Sequence, residues 1–259
     1  MILTITDQQG RVVRRLTGSV SSGLHRVTWN LRYPSSSPIR AGGGGGFGGF
    51  GGGGGFGGGG GPYVVPGTYT VSLAQSVDGV VTPVGQPQSF EVYPLLGDQT
   101  PRSPAVLAFQ QQAADLQRAM LGAGAALGEA VTRVGLLERA LRETTADVSQ
   151  LGSDLGTLAD NLQAVQDELN GDPTRQRRAE PSPPSLQRRL GRFTGGAWSG
   201  SLQEVTGSQR RQYEIVAGEF GGILNRLRQL IDVELKRIED AAEAAGAPWT
   251  SGRLPTWRQ

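Results

Sequence analysis

His25 is the single histidine in this chain of 259 residues. Acid–base or nucleophilic chemistry of the Ser-His-Asp kind would have to pass through it. It stands in the run Gly23-Leu24-His25-Arg26-Val27-Thr28-Trp29-Asn30-Leu31-Arg32-Tyr33, and no serine in a Gly-x-Ser-x-Gly elbow accompanies it. A zinc site needs more ligands than one histidine and scattered carboxylates. Cysteine is absent, which excludes disulfides, thiolate metal ligation and thiol nucleophiles. His25 is therefore expected to be a partly buried structural residue. Paired carboxylates are the other route to chemistry, as in glycoside hydrolysis. Asp154, Asp160, Asp167, Glu168, Glu234, Glu239 and Asp240 all fall on predicted helices, off the apolar seams, as solvated faces do. No catalytic, cofactor-binding or metal-binding residue is assigned, and the chain is expected not to be an enzyme.

Two low-complexity features bear on binding. Residues 42–61 are seventeen glycines and three phenylalanines. A phosphate loop needs Gly-Lys-Ser/Thr opening a helix, whereas this tract ends Gly61-Pro62-Tyr63 before a strand. Glycine offers no side chain to offset its ordering entropy, so the tract reads as an expanded loop. The spacing of Phe47, Phe50 and Phe56 would align them on one face of a polyproline II helix, which makes them the candidate interaction residues. Arginines cluster at Arg175, Arg177 and Arg178, at Arg188, Arg189 and Arg192, and at Arg210 and Arg211, but the tract itself holds none. Net charge is +2 and Lys236 is the only lysine, a pattern of GC-rich coding. Nucleic acid is not the expected partner.

These residues need elements to position them. Over residues 1–95 apolar residues alternate with polar ones at short intervals. Ile2–Thr6 and Arg11–Leu16 are predicted strands around the turn Asp7-Gln8-Gln9-Gly10. His25, Val27, Trp29 and Leu31 are expected on the inner face of a third strand. Tyr69, Val71 and Leu73 repeat the pattern. Asp78-Gly79 is a hairpin signal, and Val80–Val84 and Ser89–Tyr93 are expected to close the sheet. Together they predict a small antiparallel β-sandwich with the insertion 42–61.

A proline linker, residues 96–104, precedes a change of period. Val106, Ala113, Met120, Leu127, Val134, Leu141, Val148, Leu155, Leu162 and Leu169 recur every seven residues, and Phe109, Leu116, Ala123, Ala130, Leu137, Thr144, Leu151, Leu158 and Val165 form a second set. Helices are expected at about 105–143 and 147–169, with Thr144 and Asp147 capping the second start. A loop covers 171–185, and Leu186–Phe193 is a predicted short helix. A loop with Trp198 leads to a last helix at about 208–245. Phe220, Leu224, Leu227, Ile231, Leu235, Ile238 and Ala242 are its expected stripe. The fold class is thus α+β in separate domains, a sandwich followed by an antiparallel three-helix bundle over 105–246 and an extended tail, 247–259.

The runs Ile5-Thr6-Asp7, Gly10-Arg11-Val12-Val13-Arg14, Gly23 to Arg32 and Pro66-Gly67-Thr68-Tyr69-Thr70-Val71 resemble the immunoglobulin-like module of flagellar hook-capping proteins. More closely, the chain resembles the C-terminal region of bacterial secreted proteins with sortilin-like, sialidase-type repeat β-propellers, in which such a module follows the propeller and helices follow the module. Asn30 stands where an aspartate is common, and the Gly/Phe tract replaces a short connection. The resemblance implies Gly23, His25, Trp29, Pro66, Gly67 and Tyr69 as structural motif residues, and it transfers no catalytic residue although relatives are often labelled glycosyl hydrolases.

The chain is accordingly expected to be a non-catalytic C-terminal module of an exported, extracellular or periplasmic protein. No signal-peptide stretch is expected in residues 1–20, nor any membrane span. Its expected partner is an upstream propeller, with a protein partner or self-association through the helices. Two alternatives stay open: an accessory part of a glycoside hydrolase whose catalytic propeller lies upstream, and a stand-alone self-assembling protein built on the Gly/Phe tract. If the heptad helices cover their own seams, Leu155→Asp places a charge in a packed interface. A loss on the order of 3 kcal/mol or more is expected in thermal or urea unfolding, and an unchanged melting temperature rejects the packing.

Overall fold

The computed structural model of the chain describes residues 1–39, 60–94, 103–195 and 203–257. Phe47, Phe50, Phe56 and Trp198, with most of the proline linker, lie outside the described residues. The chain divides into two compact units, one built on a sheet and one on helices.

The first unit is an antiparallel sheet of four strands, β1 (Ile2–Thr6), β2 (Val12–Thr17), β3 (Gly67–Val77) and β4 (Val80–Val92), in the order β2-β1-β3-β4. The β1–β2 turn is locked by Asp7. Its carboxylate accepts the Gln9 and Arg11 backbone N–H groups at 3.0 and 2.9 Å, and Gly10 supplies the positive φ of 76°. The β3–β4 hairpin closes at Val77 opposite Val80. Asp78 and Gly79 take φ of 49° and 83°, as a two-residue turn of matching twist requires. The two expected last strands are one strand: β4 continues through an irregularity at Gly85–Pro87, opposite Ser72, that shifts its register against β3. As an edge strand β4 carries Pro83 and Pro87, which remove two donors that another chain's edge would need.

The expected third strand does not form. Residues 24–31 make no ladder, and Leu31 has φ of 57°, which no strand accommodates. The segments on the two sides of the Gly/Phe tract still meet, at a single bridge. Arg32 bridges Tyr63 antiparallel, Tyr33 N–H donates to Pro62 O at 3.0 Å, and Val64 N–H donates to Leu31 O at 2.9 Å. The same pairing explains why the tract ends in glycine. A Cβ on Gly61 would stand 2.5 Å from Pro34 O, and one on Gly60 would stand 2.9 Å from the Arg32 side chain. Ile5, Val13, Val64 and Tyr69 form the core of this unit, with Leu16, Trp29, Tyr33, Val71, Phe90 and Val92 packed around it.

The helices are α1 (Pro104–Glu143), α2 (Ser149–Asn170), α3 (Pro173–Arg177), α4 (Leu186–Thr194), α5 (Gly207–Arg228) and α6 (Lys236–Ala244). Residues 103–115 count with the first unit, and most of the remaining helix belongs to the second. By length and composition alone α1 is apolar enough to cross a membrane. Its heptad positions are buried all the same, from Met120 through Leu127, Val134 and Leu137 to Leu141. In α2 the buried residues are Leu155, Leu158, Leu162, Val165 and Leu169, as the heptads require. Each fully buried leucine contributes roughly 1.5–3 kcal/mol. Asp147 accepts the Ser149 N–H at 3.1 Å at the start of α2, while Thr144 turns back to Ala140 O at 2.8 Å. The ion pairs Asp154–Arg237 and Glu168–Arg226 run α2 antiparallel to the last helical run.

That run, residues 207–244, is continuous but not uniformly α-helical. Gln229–Leu235 form a π-helical turn between α5 and α6. The buried stripe is Val216, Phe220, Ile223, Leu227, Leu230, Leu235, Ile238 and Ala242. Leu224 and Ile231, expected in it, are only partly buried. The buried residues step five positions from Leu230 to Leu235, where an α-helix wants three or four. A regular α-helix would bring Glu234 to the seam, and the π turn absorbs the extra residue. Deleting exposed Val233 is therefore expected to give a regular α-helix with the seam intact and little loss of melting temperature. Deleting Asn225 should rotate Leu227 and Leu230, which lie between the deletion and the end of the π turn, out of the seam and destabilise strongly. Equal losses in the two deletions, read by circular dichroism melts, reject this account.

Candidate functional site

Sequence reasoning singled out six motif residues in the sheet unit, and the structure gathers some of them. Trp29 and Tyr69 meet edge-on with centroids 5.7 Å apart, and Phe90 joins both at 6.1 Å. Geometry of this kind adds about 0.5–1.5 kcal/mol per pair beyond burial. Trp29 Nε1–H donates to Arg32 O at 3.0 Å, which pins the segment that did not become a strand. The Tyr69 hydroxyl donates to Val65 O at 2.7 Å, two residues before Gly67, whose φ of 152° starts β3. Pro66 is half-buried between them. Phe90 was legible only as a strand residue, since its partner register depends on the β4 irregularity.

His25 is not brought to this cluster, and the expectation that it is partly buried is corrected. It is exposed, with Nε2 2.7 Å from Ser21 O, in the loop that starts at Gly23 with φ of 120°. The strand that would have turned it inward is absent.

In the helical unit two settings gather carboxylates with arginines, while the candidates Asp160 and Asp240 are exposed elsewhere, Asp240 paired with Lys236. One is an open groove of about 870 Å³ between the end of α2, the loop before α4, and α5. Asp167, Glu168, Asp172 and Glu219 face it, together with Arg175, Arg189 and Arg226. Three of the four carboxylates meet an arginine: Arg189 reaches Glu219 at 2.6 Å, Arg226 pairs with Glu168, and Arg175 lies 3.6 Å from Asp172, while Gln163 Nε2–H donates to Asp167 at 2.9 Å. The Thr174 backbone N–H, reaching the Asp172 carboxylate at 2.7 Å as the cap of α3, holds that carboxyl below its ordinary range. Across the unit, the side-chain bond from Gln150 and then that from Arg237 do the same for Asp154. Carboxylates held ionised by fixed partners act as struts. A glycosidic acid needs the opposite environment, one that raises its affinity for a proton.

The other setting was missed by sequence reasoning. Glu239, read as a solvated residue, is 1 % exposed. Arg133 of α1 grips it with Nε to Oε1 at 2.8 Å and Nη2 to Oε2 at 2.5 Å. Removing one partner of such a buried pair costs about 3–5 kcal/mol. The tail closes over the pair. Gly252, with φ of 100°, comes so close that a Cβ there would stand 2.5 Å from Arg133 Nε. Arg253 is buried and bonds Thr250 Oγ1 at 3.1 Å and the Ala247 and Pro248 carbonyls, with Glu243 3.6 Å away. The Thr256 N–H donates to Glu243 at 2.8 Å and holds that carboxyl below its ordinary range. The tail is thus a folded cap on the helices, not an extended segment. The turn glycines and Arg253 were its available signals.

Among the described residues no group of three or more His, Cys, Asp or Glu is placed to hold a metal ion. Comparison with protein-family models, curated proteins and solved structures finds no match.

Burial, and then the nearby Tyr33 and Asp7, push the Tyr69 phenol up from 10.0 to about 12. The fold therefore favours the neutral phenol. Its contribution is complete below about pH 10 and is lost as pH rises through about 12. Melting temperature should fall over that interval. Tyr69→Phe should flatten the fall, at a cost of about 1 kcal/mol in neutral buffer for the lost bond to Val65. An identical alkaline profile in the variant rejects the assignment.

Proposed function

We propose that this chain is a non-catalytic structural and interaction module, suited to follow a β-propeller in an exported bacterial protein. In this reading the sheet unit is an immunoglobulin-like spacer. The paired segments around Arg32 and Tyr63 serve as its reduced second layer over the Trp29–Tyr69–Phe90 cluster. The helical unit is a three-helix bundle of α1, α2 and the 207–244 run, and it offers its outer surface to a partner.

One observation carries the reading: three of the carboxylates that could have done chemistry, Asp154, Glu168 and Glu239, serve with Glu219 and Glu243 as struts between segments. Asp154, Glu168, Glu219, Glu239 and Glu243 each pair with an arginine, Arg237, Arg226, Arg189, Arg133 and Arg253. An acid fixed in this way supplies rigidity and gives up the proton exchange that general acid–base work needs. The aromatic cluster is likewise committed to packing. Its one titrating hydroxyl stays neutral and bonded to backbone.

The test is the size of the native polypeptide in the source cells, detected on a denaturing gel with an antibody against α1 and α2. A species larger than 259 residues can account for is expected, and its upstream sequence should encode propeller repeats. A largest species of 259 residues or fewer rejects the propeller reading and moves self-assembly to the front.

A further inference from the structure

The connection between α2 and α4 holds the densest arginine run of the chain, Arg175-Gln176-Arg177-Arg178, followed by the small residue Ala179. We propose that this run is a processing site, cut after Arg178 by an arginine-specific endoprotease. Such a protease must draw several residues around the scissile bond into extended form, so the local cost of opening decides where it cuts. Here that cost is small. The helix α3 is five residues long and buries none of them. Every residue from Pro173 to Pro184 is exposed. Beyond the cut, Pro181, Pro183 and Pro184 hold the chain in extended geometry, and no proline stands directly after Arg178 to block cleavage. The other arginine clusters are harder to open. Arg188, Arg189 and Arg192 lie in α4, anchored by buried Leu186, Leu190 and Phe193. Arg210 and Arg211 open α5, whose stripe is buried from Val216 onward.

The ends of the segment are fixed, so a cut need not unravel the fold. Gly171 N–H closes α2 on Asp167 O at 2.7 Å, and buried Leu186 starts α4. On either side of the cut, Glu168 pairs with Arg226, Asp154 with Arg237 and Arg133 with Glu239. The seam residues of α2 stay packed. In the reaction water adds across the Arg178–Ala179 amide. The oxygen goes to the Arg178 carbonyl carbon, the C–N bond breaks, and the proton goes to the Ala179 nitrogen, leaving a new terminus at Ala179. The product is a helical unit of two chains held without a covalent link. This stands whatever precedes residue 1.

The experiment has two arms on the full chain. With limiting trypsin the first cleavage is expected at Arg177 or Arg178, giving fragments that co-elute in gel filtration with helical circular dichroism unchanged. Arg177→Ala with Arg178→Ala should abolish the fragment ending there. A first cut after Arg26 or Arg253, or fragments that separate, overturns the proposal. In the second arm, protein recovered from the source cells is mapped for its termini. A terminus at Ala179 is expected, and recovery of only uncut chain across residues 175–180 overturns the proposal. Neither arm depends on the mass of what lies upstream, so this inference and the module reading fail separately.

Discussion

The helical unit depends on keeping an apolar seam unbroken along a run whose buried residues fall one residue out of α-helical step. From Val216 to Leu230 the buried residues step by three and four. The next buried residue, Leu235, is five away, with Glu234 four beyond Leu230, in the position an α-helix would bury. Burying an unpaired carboxylate costs several kilocalories per mole, while widening one turn costs a weaker set of backbone bonds. The chain takes the π turn. Everything C-terminal to it, Ile238, Glu239 and Ala242 included, is aimed by that choice.

Glu239 is the residue most affected by this rotation. Once α6 is turned into place, a carboxylate is buried beside Ile238 and must be matched. Arg133 matches it bidentately from another helix, and Gly252 lets the tail backbone cover both groups. The pair adds little net stability over an apolar substitute, and it ties α1 to α6 at one point through two bonds. The tail is then held by Arg253 and by the Thr256–Glu243 bond, one polar contact supporting the next. Outside this cluster, the exposed pairs on α2 and α5 contribute about 0–1 kcal/mol each and mainly choose orientation.

The sheet unit solves a different problem. Four strands expose two faces, and one must be covered. The cover comes from loop segments pressed together by the Arg32–Tyr63 bridge and carrying Trp29, Tyr33 and Val64 inward. The Gly/Phe tract departs between these segments, and its last glycines are set by how closely the backbone of Tyr33 and Pro34 passes them.

Sequence by itself determined the features that depend on neighbours along the chain. The heptads fixed α1 and α2, Asp78-Gly79 fixed a hairpin because such residues take its positive φ with little strain, and Asp7 with Gly10 fixed the first turn. Tertiary structure decided the rest. His25, Val27 and Trp29 alternate as a strand does, yet no neighbouring strand offers them a ladder, and Leu31 turns away with positive φ. Alternation reports which side is apolar, not whether backbone partners exist. Glu239 and Arg253 look like surface charges because their partners, Arg133 and Glu243, come from distant or folded-back segments. A charge is tolerated in a core only when its counter-charge arrives from elsewhere in the fold, and a linear sequence does not carry that information.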